Sequence, residues 1–346
     1  MKKQILLIAF TAVFSVLSCS KNSLEAIDSL QVEPETATMH PGDTLTLQVS
    51  MSPENASGIK TILWQSSHPQ TVSVDKNGHI RALRVGSSSI TAQTDGLSDS
   101  CLVIVENIPP QTGDYYYSDG SWSPELDENK TVIGIVFWCG DPGKDDPLLR
   151  QEHPDCVNGL AVAIDGDMEI PWQTGYSEYK KTVGEWIEEN APEYISILSG
   201  NGENDNMNRI LGYNNTKAIE RFNSAPENSA WPVEIVENTV KYRKSRKAPA
   251  SSSDWYLPSL KELSILCSAE QEGNIWDLRD ITSNRDIINA RLTSLPGSQP
   301  LVAFPYWSST EGDRLRAYYV NFEIGLPNFS YVKDTWYLRT RCVLAF

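Results

Sequence analysis

The chain has 346 residues, 40% hydrophobic and 21% charged, with a formal net charge of −16, enough material for two domains at about 150 residues each. So acidic a balance excludes a nucleic-acid backbone as partner. The histidines, His40, His68, His79 and His153, are scattered and form no HExxH pattern; with no Walker-type phosphate loop and no helix-opening GxGxxG either, no metal, cofactor or catalytic residue is expected.

Lys2 and Lys3 precede an apolar run from Ile5 to Leu17, too short to span a bilayer but suited to the apolar stretch of an export signal. The run closes on Val16-Leu17-Ser18-Cys19, which resembles a bacterial lipobox. The resemblance implies a signal peptide over residues 1–18, lipidation of Cys19, a tether over 19–25 and attachment to the outer membrane. Attachment at the cell surface is expected, with a periplasm-facing orientation as the alternative. In an oxidising compartment Cys139, Cys156, Cys267 and Cys342 can form two bridges, and of the three possible pairings Cys139 with Cys156 and Cys267 with Cys342 is the one expected. Cys101 falls in an alternating strand and reads as a buried free thiol.

From residue 26 to 107 short runs alternate at period two, as in Thr44-Leu45-Thr46-Leu47-Gln48-Val49 and Val72-Ser73-Val74. They are separated by turns at Pro41-Gly42, Asn77-Gly78 and Asp95-Gly96, the pattern of an all-β sandwich. Ile62-Leu63-Trp64-Gln65, Val72 to Gly78 and Val85 to Ala92 together resemble a group 2 bacterial immunoglobulin-like domain. The resemblance implies a spacer with Trp64 in its core. Ile108-Pro109-Pro110 reads as a stiff linker, placed at 108–112.

The remainder, 113–346, opens with strand-forming aromatics at Tyr115-Tyr116-Tyr117, followed by apolar runs at Val132–Trp138 and Leu160–Ile164 long enough for strands buried on both faces. Between the two runs Asp141, Asp145, Asp146 and Asp155 lack the spacing of a calcium loop and read as solvated charge. Helical patterns follow at Val183–Ile187, from an N-cap at Asn215 or Thr216 to Phe222, and at Ala230–Tyr242. The basic run Lys241, Arg243, Lys244, Arg246, Lys247 reads as a solvated helix end, with a patch for sulfated glycan as the alternative. Ser259 and Glu262 form a capping box ahead of the stripe Leu260, Leu263, Leu266.

Asp254-Trp255-Tyr256-Leu257-Pro258, Tyr306-Trp307-Ser308-Ser309-Thr310-Glu311, Ala317 to Phe322 and Arg339-Thr340-Arg341-Cys342-Val343 resemble the C-terminal domain of the Lcl (collagen-like adhesin) family, best over 254–343. That implies an α+β C-type-lectin-like domain; the calcium-chelating sugar signatures of animal lectins are missing from this sequence. Burial of Val320 and Phe322 is expected to turn Tyr319 and Asn321 outward. With Tyr331 and Trp336 they are the candidate ligand-binding residues, because an aromatic face beside polar groups can stack on a sugar. At least one of Arg339 and Arg341 is expected to pair with Glu262 or Glu311. The function implied is a lipid-anchored surface adhesin that binds a glycan or an extracellular protein. The alternatives are an accessory subunit of a surface fibre or glycan-uptake complex, and a formylglycine-generating oxidase using Cys267 and Cys342.

Overall fold

The computed structural model describes residues 27–53, 61–200, 206–268 and 273–346; the export run and Cys19 lie outside them. The chain divides into two compact units after Ile108.

The first unit carries strands β1 (Ser29–Glu33), β2 (Thr36–Met39), β3 (Thr44–Thr46), β4 (Gln48–Ser52), β5 (Leu63–Ser66), β6 (Val72–Val74), β7 (His79–Ala82), β8 (Gly86–Thr94) and β9 (Leu97–Val105). β2-β9-β8-β5 form one sheet, β3-β7-β6 a second, and β1 pairs with β4. The β2–β9 pair is parallel, Thr36 opposite Leu102 and Met39 opposite Val105. Alternation decides the inside: Ile90 and Ala92 on β8 face a core with Cys101 and Val103 on β9, Val72 and Ile80, while Ser87 and Gln93 stay exposed. Asp95 and Gly96 both take positive φ (47° and 81°) in the hairpin between β8 and β9, as a tight primed turn requires. Gly78 also has φ +81°, and a Cβ there would sit 2.7 Å from the Trp64 ring. Trp64 itself is half-buried against the core.

In the second unit the strands are β10 (Tyr115–Tyr117), β11 (Trp122–Ser123), β12 (Val132–Cys139), β13 (Gly159–Ala163), β14 (Met168–Ile170), β15 (Pro305–Glu311), β16 (Ala317–Asn321), β17 (Leu326–Asn328), β18 (Leu338–Thr340) and β19 (Val343–Ala345). The helices are α1 (Pro147–Glu152), α2 (Tyr176–Tyr179), α3 (Val183–Asn190), α4 (Gly212–Ser224), α5 (Glu234–Ser245), α6 (Leu260–Cys267) and α7 (Ser283–Thr293). One sheet runs β11-β10-β12-β13-β19, the other β14-β18-β15-β16-β17.

The two sheets share a core. Ile135, Phe137, Leu160 and Val162 meet Tyr306, Val320 and Phe322, with the α6 stripe Leu260, Leu263, Leu266 and with Ile288 and Leu292 of α7. Each sheet buries its other face as well. Val136, Ala161 and Ala163 pack with Tyr242 and Trp255; Trp307, Tyr319 and Leu338 pack with residues of α3, α4 and α5. Both faces of the β12 and β13 runs are therefore apolar. The capping box of α6 is present, Ser259 accepting from the Glu262 backbone N–H and Glu262 from that of Ser259.

Several expectations are corrected here. Cys139, Cys156, Cys267 and Cys342 are free thiols, as is the buried Cys101. In each expected pair the two sulfurs belong to opposite faces of the first sheet of this unit: Cys156 and Cys267 sit in the shared core, Cys342 and Cys139 at the outer cluster. The Asp141 to Asp146 loop is not solvated charge. Asp141 pairs with Arg150, Asp145 accepts from the Ile210 N–H at 2.9 Å, and Asp146, 1% exposed, caps α1 and accepts from the Asn214 N–H at 2.8 Å. Helix α4 starts at Gly212, before the expected cap.

Candidate functional site: an aromatic column in the second unit

β15 and β16 place Trp307 opposite Tyr319. Their rings meet edge to face at 5.9 Å. Tyr319 stacks on Tyr331 at 4.6 Å and 18°, and Tyr331 lies 4.6 Å from Trp336. The column thus runs from Trp307, fully buried, to Trp336, which is 48% exposed. On the opposite face of β16, Tyr318 stacks on Phe329 at 5.0 Å, and the Arg316 guanidinium covers the Phe329 ring at 4.6 Å.

Three of the four candidate residues stand in this column, but Tyr319 does not face outward. It is 4% exposed, its hydroxyl meets Ser330 Oγ at 2.8 Å, and burial raises its pKa. Parity is as expected, with Val320 and Phe322 in the shared core; the face opposite them is covered by helices instead of water. Asn321 stands apart, its Oδ1 accepting from the Glu323 N–H at 3.0 Å in the turn after β16. Tyr331 is half-buried and Trp336 carries the exposed face.

The loop bearing Tyr331 and Trp336 is fastened by a buried ion pair. Lys333 Nζ donates to Glu311 Oε1, both side chains being 0% exposed. Glu311 also accepts from the backbone N–H groups of Val183 (3.0 Å) and Gly184 (2.7 Å) at the start of α3, where a carboxylate is favoured by the helix dipole. The Lys333 ammonium lies 4.8 Å from the centre of the Trp172 ring, and the Lys333 carbonyl accepts from the Trp172 backbone N–H at 2.7 Å. A charge pair held this way fixes the loop backbone and leaves the aromatic tip to solvent. Sequence reasoning missed this anchor, since 22 residues separate the partners and no spacing rule joins a strand-end Glu to a loop Lys.

The arginines also find other partners than expected. Arg341 pairs with Asp167 in the interior, and Arg339 spans Asp167 and Glu169. Glu262 instead accepts from Tyr256 Oη at 2.8 Å and the Gly212 N–H at 2.9 Å. A paired reactive-cysteine reading has no geometry behind it: burial pushes both the Cys267 and Cys342 thiols up to about 12, away from the thiolate form that such chemistry uses. Among the described residues no cluster of three or more His, Cys, Asp or Glu side chains is placed to hold a metal, and no helix is long and apolar enough to cross a membrane.

Residues 26–100 match the bacterial Ig-like domain (group 2). The first unit carries that domain. The chain is also 26% identical over 238 residues to the putative fimbrium tip subunit Fim1C of Bacteroides ovatus, a match covering 61% of this chain and 41% of that protein. The crystal structure of a fimbrial protein from the same species aligns over 92% of this chain and 71% of its own, with a TM-score of 0.56 at 21% identity, which extends the likeness of fold across both units. A third relative, an A type blood N-acetyl-alpha-D-galactosamine deacetylase of Flavonifractor plautii, is 37% identical over 82 residues, only 10% of its length. The two longer matches are to fimbrial proteins, and the 82-residue match is to an enzyme.

Proposed function

We propose that this chain is a fibre-associated surface adhesin: the Ig-like unit is a stalk, and the second unit, a lectin-like tip, binds a glycan or an extracellular protein through the solvent end of the aromatic column. The observation that carries the reading is Trp336, a large aromatic left 48% exposed on a loop that a buried ion pair holds in place. Homology to a fimbrium tip subunit supports a place in a surface fibre. Cys19 is the proposed lipid anchor, and Cys19→Ala should release the protein from washed membranes.

An aromatic face adds apolar contact area without a deep pocket, so single-site affinity is weak and attachment gains from many copies. On a glycan and matrix-protein array the full chain should retain defined ligands, and Trp336→Ala should lose them while its unfolding free energy in urea stays within about 1 kcal/mol of the parent. Retention of every ligand by that variant would remove the column as the binding site. Isolation of the native complex distinguishes the accessory reading, in which the chain is recovered with fibre components and the array stays blank.

A further inference from the structure

At the carboxyl end of α5 the second unit has a cavity of about 450 Å³, lined by Thr131, Asp165, Tyr242, Arg246, Lys247 and Trp255 among others. Its size lies within the range of pockets that take a small organic ligand. Two aromatics line it. Tyr242 and Trp255 meet edge to face at 5.6 Å, and Trp255 is 1% exposed with its Nε1–H lacking any hydrogen-bond partner. A buried indole N–H left without an acceptor is costly, and a ligand oxygen would supply one.

The charge of the cavity runs against that of the chain. Arg246 Nη2 and Nε donate to Asp165 Oδ2 at 2.6 and 3.1 Å, and Tyr242 Oη donates to Asp165 Oδ1 at 2.8 Å. Although burial acts to raise it, the Asp165 carboxyl is held below its ordinary value by the hydrogen bonds from Arg246 and Tyr242. With Nε and Nη2 engaged, the guanidinium is oriented and Nη1 is left to donate elsewhere. Lys247 is exposed and has no ion pair among the described residues. The lining therefore holds two cations and one carboxylate, already neutralised, in a protein of net charge −16. The carboxyl end of α5 opposes an anion with only about half an elementary charge, less than either cation supplies.

We infer that this cavity is a second binding site, distinct from the aromatic column, for a sugar unit bearing a carboxylate or sulfate group: the anion meets Arg246 and Lys247, the ring lies against the aromatic lining, and a ring or hydroxyl oxygen accepts from Trp255. The shared chemistry is an anion on a pyranose, which an inorganic anion lacks on one side and a neutral sugar on the other. This goes beyond the adhesin reading, and it stands or falls separately from it.

The test is calorimetric titration of the full chain with glucuronate, glucose 6-sulfate, glucose and inorganic sulfate. At least one acidic sugar should bind about tenfold more tightly than glucose and than inorganic sulfate, and which one binds identifies the anion. Lys247→Gln should lower that affinity about tenfold. Trp255→Phe, which keeps a ring and removes the N–H, should lower it about fivefold. Trp336→Ala should leave it unchanged. Equal affinity for glucose, equal affinity for inorganic sulfate, no saturation by either acidic sugar, or insensitivity to Lys247→Gln overturns the assignment. Loss of acidic-sugar binding on Trp336→Ala would overturn it too, placing the sugar on the column and leaving the adhesin reading intact.

Discussion

The two units use the same strand alternation to opposite ends. In the Ig-like unit, the residues of β8 that point away from the core are Ser87, Ser89, Thr91 and Gln93, exposed or half-buried. In the second unit, Ala317 and Tyr319 of β16 point away from the shared core and enter another apolar cluster under helices. A polar position on the first sheet is a surface; its counterpart on the second is an interior. Period two tells which residues share a face, and only the neighbouring layers tell whether that face is wet.

The sharpest way to break this contrast is to remove a buried charge from the second unit. Lys333→Ala leaves Glu311 without its ammonium among fully buried groups, and loss of one partner of such a pair costs about 3–5 kcal/mol. Urea unfolding followed by tryptophan fluorescence reads this directly, because Trp64 is the one tryptophan before Ile108. A loss below about 1 kcal/mol, the value of an exposed pair, would show that the loop is not held by this contact.

Tyr319→Ala should cost about 3 kcal/mol by deletion of a buried aromatic, whereas Gln93→Ala, at the equivalent outward parity in the first unit, should stay within about 0.5 kcal/mol. Equal effects would erase the distinction between the two sheets. Tyr319 is consequently a poor choice for testing ligand binding, since its replacement disturbs the core.

A third difference is titratable. Burial raises the carboxyl of Glu262 from 4.5 to about 7, against the hydrogen bonds from Ser259 and Tyr256 that lower it. A carboxyl that holds its proton more tightly when folded contributes fully below its unfolded value and loses that contribution as pH rises through its folded value. Stability of the second unit should therefore fall between pH 4.5 and about 7, by on the order of 2–3 kcal/mol. Glu262→Gln should flatten the slope over that window. A rise in stability over the same interval, or an unchanged slope in the variant, would contradict this account of the group.

Much of the local structure was legible from single segments. The β8–β9 turn followed from Asp95-Gly96, the start of α6 from Ser259 and Glu262, and burial on both faces from the Val132–Trp138 run. Three members of the aromatic column could be named for the same reason, since they are close in sequence. What could not be read was contact between distant elements: the helices over Tyr319, the Glu311–Lys333 pair and the Arg341–Asp167 pair. The disulfide expectation failed through a signal that was present. Cys342 adjoins Val343, which faces the core shared with the α6 stripe of Cys267, so alternation alone sets the two sulfurs on opposite sides of a strand. Compartment chemistry suggested how many bridges could form; sheet parity decided that these two would not.

The parallel β2–β9 pair has a mechanical consequence. These strands lie near the two ends of the Ig-like unit, and their registered partners advance together from Thr36–Leu102 to Met39–Val105. Tension applied before β2 and after β9 pulls the strands past each other along their length, so the evenly spaced bonds of the parallel ladder share the load. An antiparallel pair tugged from one end opens bond by bond, like a zip. Resistance to such pulling is set by the rate of forced unfolding, not by equilibrium stability, and shear across this ladder should make that rate lower than unzipping would.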